Sequence, residues 1–148
     1  MRKTNLKKVL SLILCIVLIA VTALFATGCS DKKAAETANG TAVYADGDVI
    51  GEGAKQFSLI VADKDGNEVA LEIHTDETVV GKALLDNNVI AGDDGEYGLY
   101  VKTVNGITAD YDKDGVYWAF YVDGEYAMTG VDSTEVTSGV TYSFLVEK

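Results

Sequence analysis

The chain has 148 residues, no proline, and 23 acidic against 12 basic side chains, for a formal net charge of −11. Four of the bases, Arg2, Lys3, Lys7 and Lys8, precede an apolar run, so the chain beyond residue 28 carries 8 basic and 23 acidic side chains, a net of −15. That balance excludes nucleic-acid backbone binding and basic docking on anionic lipid, both of which need clustered Lys and Arg.

Residues 1–28 read as a lipoprotein signal peptide: a basic start, 17 residues from Val9 to Phe25 broken only by Ser11, Cys15 and Thr22, then Ala26-Thr27-Gly28-Cys29. Small residues before a cysteine resemble the bacterial lipobox, with Ala26 where Leu is commoner. The alternative is an uncleaved membrane helix with an ordinary thiol at Cys29, but the apolar run is shorter than the roughly 20 residues that span a bilayer. Lipidation at Cys29 would hold the chain to the extracellular face of the bacterial cell membrane. With Cys15 removed and Cys29 acylated, no thiol would remain for a disulfide or a metal.

Residues 29–54 then read as the lipidated Cys and a flexible linker, rich in Ser, Asp, Lys, Ala, Thr, Asn and Gly. A coil of about 25 residues spans roughly 25–30 Å. Asn39-Gly40-Thr41 is formally a glycosylation sequon, discounted in a bacterial lipoprotein.

Period-two patterning begins near Gln56. Phe57, Leu59 and Val61 alternate with Ser58, Ile60 and Ala62; Asp63–Asn67 supplies turn chemistry; Val69, Leu71 and Ile73 form the answering strand. A short helix is predicted from Val79 to about Asn87, with Thr78 as N-cap and a narrow stripe of Val80, Ala83 and Leu84. Gly81 weakens it by about 1 kcal/mol relative to Ala, so it needs a sheet to pack on. Strands follow at Tyr97–Val104, Ile107–Asp112, Val116–Val122, Glu125–Met128 and Val140–Val146, with hairpin turns at Asn105-Gly106 and Asp123-Gly124. The order predicts an α+β domain over residues 55–148: a β-grasp-like, mostly antiparallel sheet with one short helix, after a disordered tether.

Two groups of residues have the chemistry of a site. Eight of the aromatic residues lie between Tyr97 and Tyr126. On the strand Val116–Val122, Trp118 and Phe120 share one face and Tyr117 and Tyr121 the other. With Tyr100 and Tyr126, the tyrosines and Trp118 are candidate ligand-binding residues, an amphipathic platform for a flat ligand, a sugar or a partner strand. The plainer reading is cross-strand pairing that stabilises the sheet. Asp110, Asp112 and Asp114, followed by Gly115, match the start of a calcium loop. The twelfth position is Tyr121 rather than Glu, which excludes an EF-hand and leaves a looser Ca2+ site or a solvated turn. His74 is the single histidine. With no nucleophile elbow and no phosphate loop, no catalytic residue is expected and the domain is expected not to be an enzyme.

Thr78-Val79-Val80-Gly81-Lys82-Ala83-Leu84-Leu85, the blocks Gly98–Gly106 and Tyr117–Ala127, and Gly130-Val131-Asp132 together resemble the transcobalamin-like C-terminal domain family, over about Lys55 to Lys148. Bacterial members are mostly surface lipoproteins with a domain of unknown function. The usual Asn-Gly turn of the family is Asp123-Gly124 here. The resemblance implies a non-enzymatic binding module for a small cofactor-like ligand such as cobalamin or another corrinoid, or for a transporter or other partner protein in uptake. The alternative is a structural or adhesive surface module, calcium-stabilised, that pairs with another chain by strand addition.

Overall fold

The computed structural model describes residues 36–148. The expected signal peptide, Cys29 and residues 30–35 of the linker lie outside the described residues.

The rest of the expected linker is folded, which corrects the boundary at residue 54. Strands β1 (Glu36–Ala38) and β2 (Thr41–Val43) form a hairpin, and β3 (Val49–Gly51) pairs in parallel with a strand of the main sheet. The hairpin turn is Asn39-Gly40, both with positive φ, 53° and 86°. Such a two-residue turn matches the natural twist of paired strands.

β4 (Lys55–Ala62) and β5 (Glu68–Thr75) form the expected antiparallel hairpin. Asp63 closes it, its carboxylate accepting from the amides of Asp65 and Asn67 and from Asn67 Nδ2. The alternation sets Phe57, Leu59, Val61, Leu71 and Ile73 inward. Helix α1 (Val80–Asp86) buries Val80, Ala83 and Leu84 in the same core. Thr78 does not cap it. The N-cap is Val79, with no side-chain bond, and the Val80 amide is satisfied instead by the carbonyl of Thr134 at 2.9 Å.

β6 (Ile90–Gly95), β7 (Gly98–Val104) and β8 (Ile107–Thr108) make an antiparallel three-stranded sheet, with a register shift at Ala91/Gly92. The strand expected to reach Asp112 stops at Thr108 and gives way to one helical turn, α2 (Tyr111–Asp114). β9 (Tyr117–Val122), β10 (Glu125–Tyr126, shorter than expected) and β11 (Thr141–Glu147) complete the main sheet, with a 3-10 turn at Val131–Ser133.

The main sheet runs β10-β9-β11-β4-β5-β3. β11 lies between β9, antiparallel, and β4, parallel. An opening hairpin, a helix, and a last strand inserted parallel to the first are the order of a β-grasp, so the α+β class holds. The sheet is mixed, with parallel pairings at β11–β4 and β3–β5 and antiparallel ones elsewhere.

Aromatic rings fill the inner face. Phe57 meets Tyr142 edge to face at 5.0 Å, and Phe120 stacks on Tyr142 at 6.0 Å and tilts on Phe144 at 5.1 Å. The Tyr142 hydroxyl donates to Glu135 O at 2.8 Å and accepts from the Thr137 amide at 3.1 Å, so this buried phenol is satisfied.

Two hairpin turns are bolted together. Asn39 Nδ2 donates to Gly106 O at 2.8 Å, the Gly106 amide donates to Thr41 Oγ1 at 2.6 Å, and Asn105 accepts from the Tyr44 amide at 2.7 Å while donating to Tyr44 O at 3.1 Å. Thr41 and Asn105 are buried by this contact. Among the described residues no helix is long and apolar enough to cross a membrane.

Candidate functional site

A groove of about 350 Å³ opens between β7 and the segment that follows β9. Its floor is Trp118, Phe120, Val131 and Phe144. One wall is Leu99–Val101, and the other is Tyr126–Gly130. The walls come from strands with open edges. β7 pairs with β8 only at Thr103 and Val104, and β10 pairs only with β9. Tyr100, Tyr126 and above all Met128, 95% exposed, stand on the rim. An exposed methionine beside two tyrosines offers polarisable, adaptable surface.

The Trp118 indole N–H donates to Lys102 O at 3.2 Å, which fixes the ring between core and groove. Trp118 also meets Phe144 edge to face at 6.4 Å. Lys102 lies 6.0 Å from the Tyr100 ring centroid and pairs with Asp93 at 2.6 Å. The hydrogen bond that Lys102 donates to Asp93 raises the Lys102 pKa. Asp132 in the 3-10 turn accepts from the Leu99 amide at 3.0 Å, tying that wall to the turn that carries Val131.

The five predicted ligand-binding residues do not form one platform. Trp118, Tyr100 and Tyr126 border the groove. Tyr117 and Tyr121 lie on the opposite face of β9, where both hydroxyls donate to Glu147, Tyr117 at 3.3 Å. Tyr121 also meets the Tyr126 ring edge to face at 5.4 Å. The hydrogen bond to Glu147, with desolvation, pushes the Tyr121 pKa up to about 12. Desolvation first, then the neighbouring Tyr126 and Glu147, raises that of Tyr117. Leu99, Met128 and Glu147 were not read from the sequence. Met128 sat in what looked like the end of a strand, and a lone large apolar residue beside Thr129-Gly130 was the available signal.

The expected calcium loop does not form. Asp110 caps α2, its carboxylate accepting from the Asp112 amide at 3.1 Å and lying 3.6 Å from Lys113 Nζ. Gly115 closes the turn at φ 66°. A helical turn throws residues i and i+2 to opposite sides, so Asp110, Asp112 and Asp114 do not converge. Among the described residues no group of three or more His, Cys, Asp or Glu could hold a metal ion. His74 bonds Glu72 at 2.5 Å on the outer face of the sheet.

Residues 76–144 match a domain of unknown function, DUF4430. A crystal structure described as a "putative metal binding protein" from Ruminococcus gnavus ATCC 29149 is 32% identical, with a TM-score of 0.61, covering 64% of this chain and 98% of that one. The chain belongs to the family of that protein. The matched part of this family member takes in the groove, α1, β6 to β10 and the start of β11, and leaves out β4 and β5. Haptocorrin in complex with Cbi aligns at 20% identity with a TM-score of 0.49, over 64% of this chain and 25% of haptocorrin. No curated protein sequence matches.

Proposed function

We propose that the chain is a non-enzymatic binding module whose groove takes a small, flat, cofactor-like ligand. The observation that carries this is the groove itself: an aromatic floor at Trp118 and Phe120 beneath an exposed rim of Tyr100, Tyr126 and Met128. Ligand sites are concave, largely apolar and edged by a few polar groups. Lipid on Cys29 would keep the module at the extracellular face of the bacterial membrane, where it would pass its ligand to a transporter. The resemblance to the transcobalamin-like C-terminal domain makes a corrinoid the first ligand to test.

The test is titration of the full chain, in detergent, with cobalamin, followed by desalting and the visible spectrum. Retained colour that falls severalfold in Met128→Ala and in Tyr126→Ala supports the reading. A colourless protein fraction removes the corrinoid.

A second reading follows from the description of the Ruminococcus gnavus relative as metal binding: a structural or adhesive surface module stabilised by a cation. Calorimetric titration with calcium tests it, and no heat at millimolar calcium removes it.

A further inference from the structure

The outer face of the main sheet carries a cluster that shares only Tyr126 with the groove. Tyr117 and Glu147 are register partners on β9 and β11, and Tyr121 and Tyr126 are register partners on β9 and β10. Both β9 phenols donate to the same carboxylate, and the Tyr126 ring packs edge to face on Tyr121. Ala119, outward between the two tyrosines, is nonetheless buried. Two phenol oxygens thus converge on the two oxygens of one carboxylate. Among the described residues the ion pairs do not include Glu147, so protons of neutral phenols stand where a cation would be expected.

We propose that Tyr117, Tyr121 and Glu147, with Tyr126 beside them, form a ferric-ion site made wholly of oxygen ligands. Donor chemistry selects the ion. Carboxylate oxygens suit hard cations, and tyrosine phenolate is an established iron ligand. Charge selects the oxidation state: two phenolates and one carboxylate supply three negative charges, which neutralise a trivalent ion. A phenol keeps its proton at neutral pH, so calcium or magnesium, weak acids, leave the cluster protonated. On binding, the Tyr117 and Tyr121 phenols each release a proton to solvent and form an Fe–O bond. Iron stays ferric and no electron moves. The cluster is half exposed, leaving coordination positions for water or a small anion.

The inference does not rest on the groove reading. The test adds ferric nitrilotriacetate to the full chain, desalts it, and records iron content with the visible and resonance Raman spectra. Bound iron with a phenolate-to-iron charge-transfer band and tyrosinate modes is expected. Tyr121→Phe keeps the ring and drops the oxygen, so the band should fall at least tenfold, as in Glu147→Gln, while the melting curve confirms folding. Met128→Ala, in the groove, should leave the band unchanged. A wild-type protein that desalts free of iron, or a band that survives intact in Tyr121→Phe, overturns the proposal.

Discussion

A Cβ placed on Gly81 would lie 2.9 Å from the backbone nitrogen of Asp132. The helix therefore gives up propensity so that its backbone can touch the 3-10 turn behind the groove. Gly81→Ala gains about 1 kcal/mol of intrinsic helix propensity, yet the obstacle is backbone, which cannot rotate away. Overpacking of this kind costs about 1–3 kcal/mol. The expected outcome is a net loss of stability, read as a lower denaturant midpoint with an unchanged slope.

Asp132 itself clamps the other side. Its carboxylate accepts from Leu99, and a Cβ on Gly98, at φ 103°, would stand within 2.7 Å of one of its oxygens. Asp132→Ala should free the Leu99 amide, raising its hydrogen-exchange rate at least tenfold. Asp132→Asn retains an acceptor and should restore most of the protection.

Leu84 is fully buried between helix and sheet. Leu84→Ala should lower stability by about 2–5 kcal/mol, the range for truncating a packed leucine. Equilibrium urea unfolding measures it. A loss below 1 kcal/mol would mean that α1 does not hold to the strands.

The Tyr121 pKa is raised, so folding favours its protonated form. The stability this contributes is whole below the ordinary tyrosine value near 10 and is lost as pH rises toward about 12. An ultraviolet phenolate titration should show a late phase near pH 12 that is lost in Tyr121→Phe. In Glu147→Gln that phase should come earlier.

The elements legible in the sequence were those with strong local signals. The β4–β5 hairpin, α1, and the turns at Asn105-Gly106 and Asp123-Gly124 follow from period-two alternation, a helical stripe and residues that tolerate positive φ. The β1–β2 hairpin carried the same signal, Asn39-Gly40, but its strands are three residues long and its partners, Asn105 and Gly106, lie more than 60 positions away. Composition there resembles a linker because the stabilising bonds are to another turn rather than to an apolar stripe. β6 was invisible for a similar reason: Gly92-Asp93-Asp94-Gly95 alternates nothing, and its place is set by pairing with β7. For the site, face alternation correctly divided Trp118 and Phe120 from Tyr117 and Tyr121. It could not show that Glu147 collects both tyrosines, since that depends on which strand adjoins β9. The aspartate run misled because Asp110 meets its own chain first, as a helix cap.

The insertion of β11 between β4 and β9 has a bearing on biogenesis. The strand that joins the two halves of the sheet is synthesised after both of them. Until residues 141–147 leave the ribosome, the β4–β5 hairpin and the β9–β10 ribbon have no shared neighbour. A nascent chain in that condition cannot close its main sheet until that strand is available.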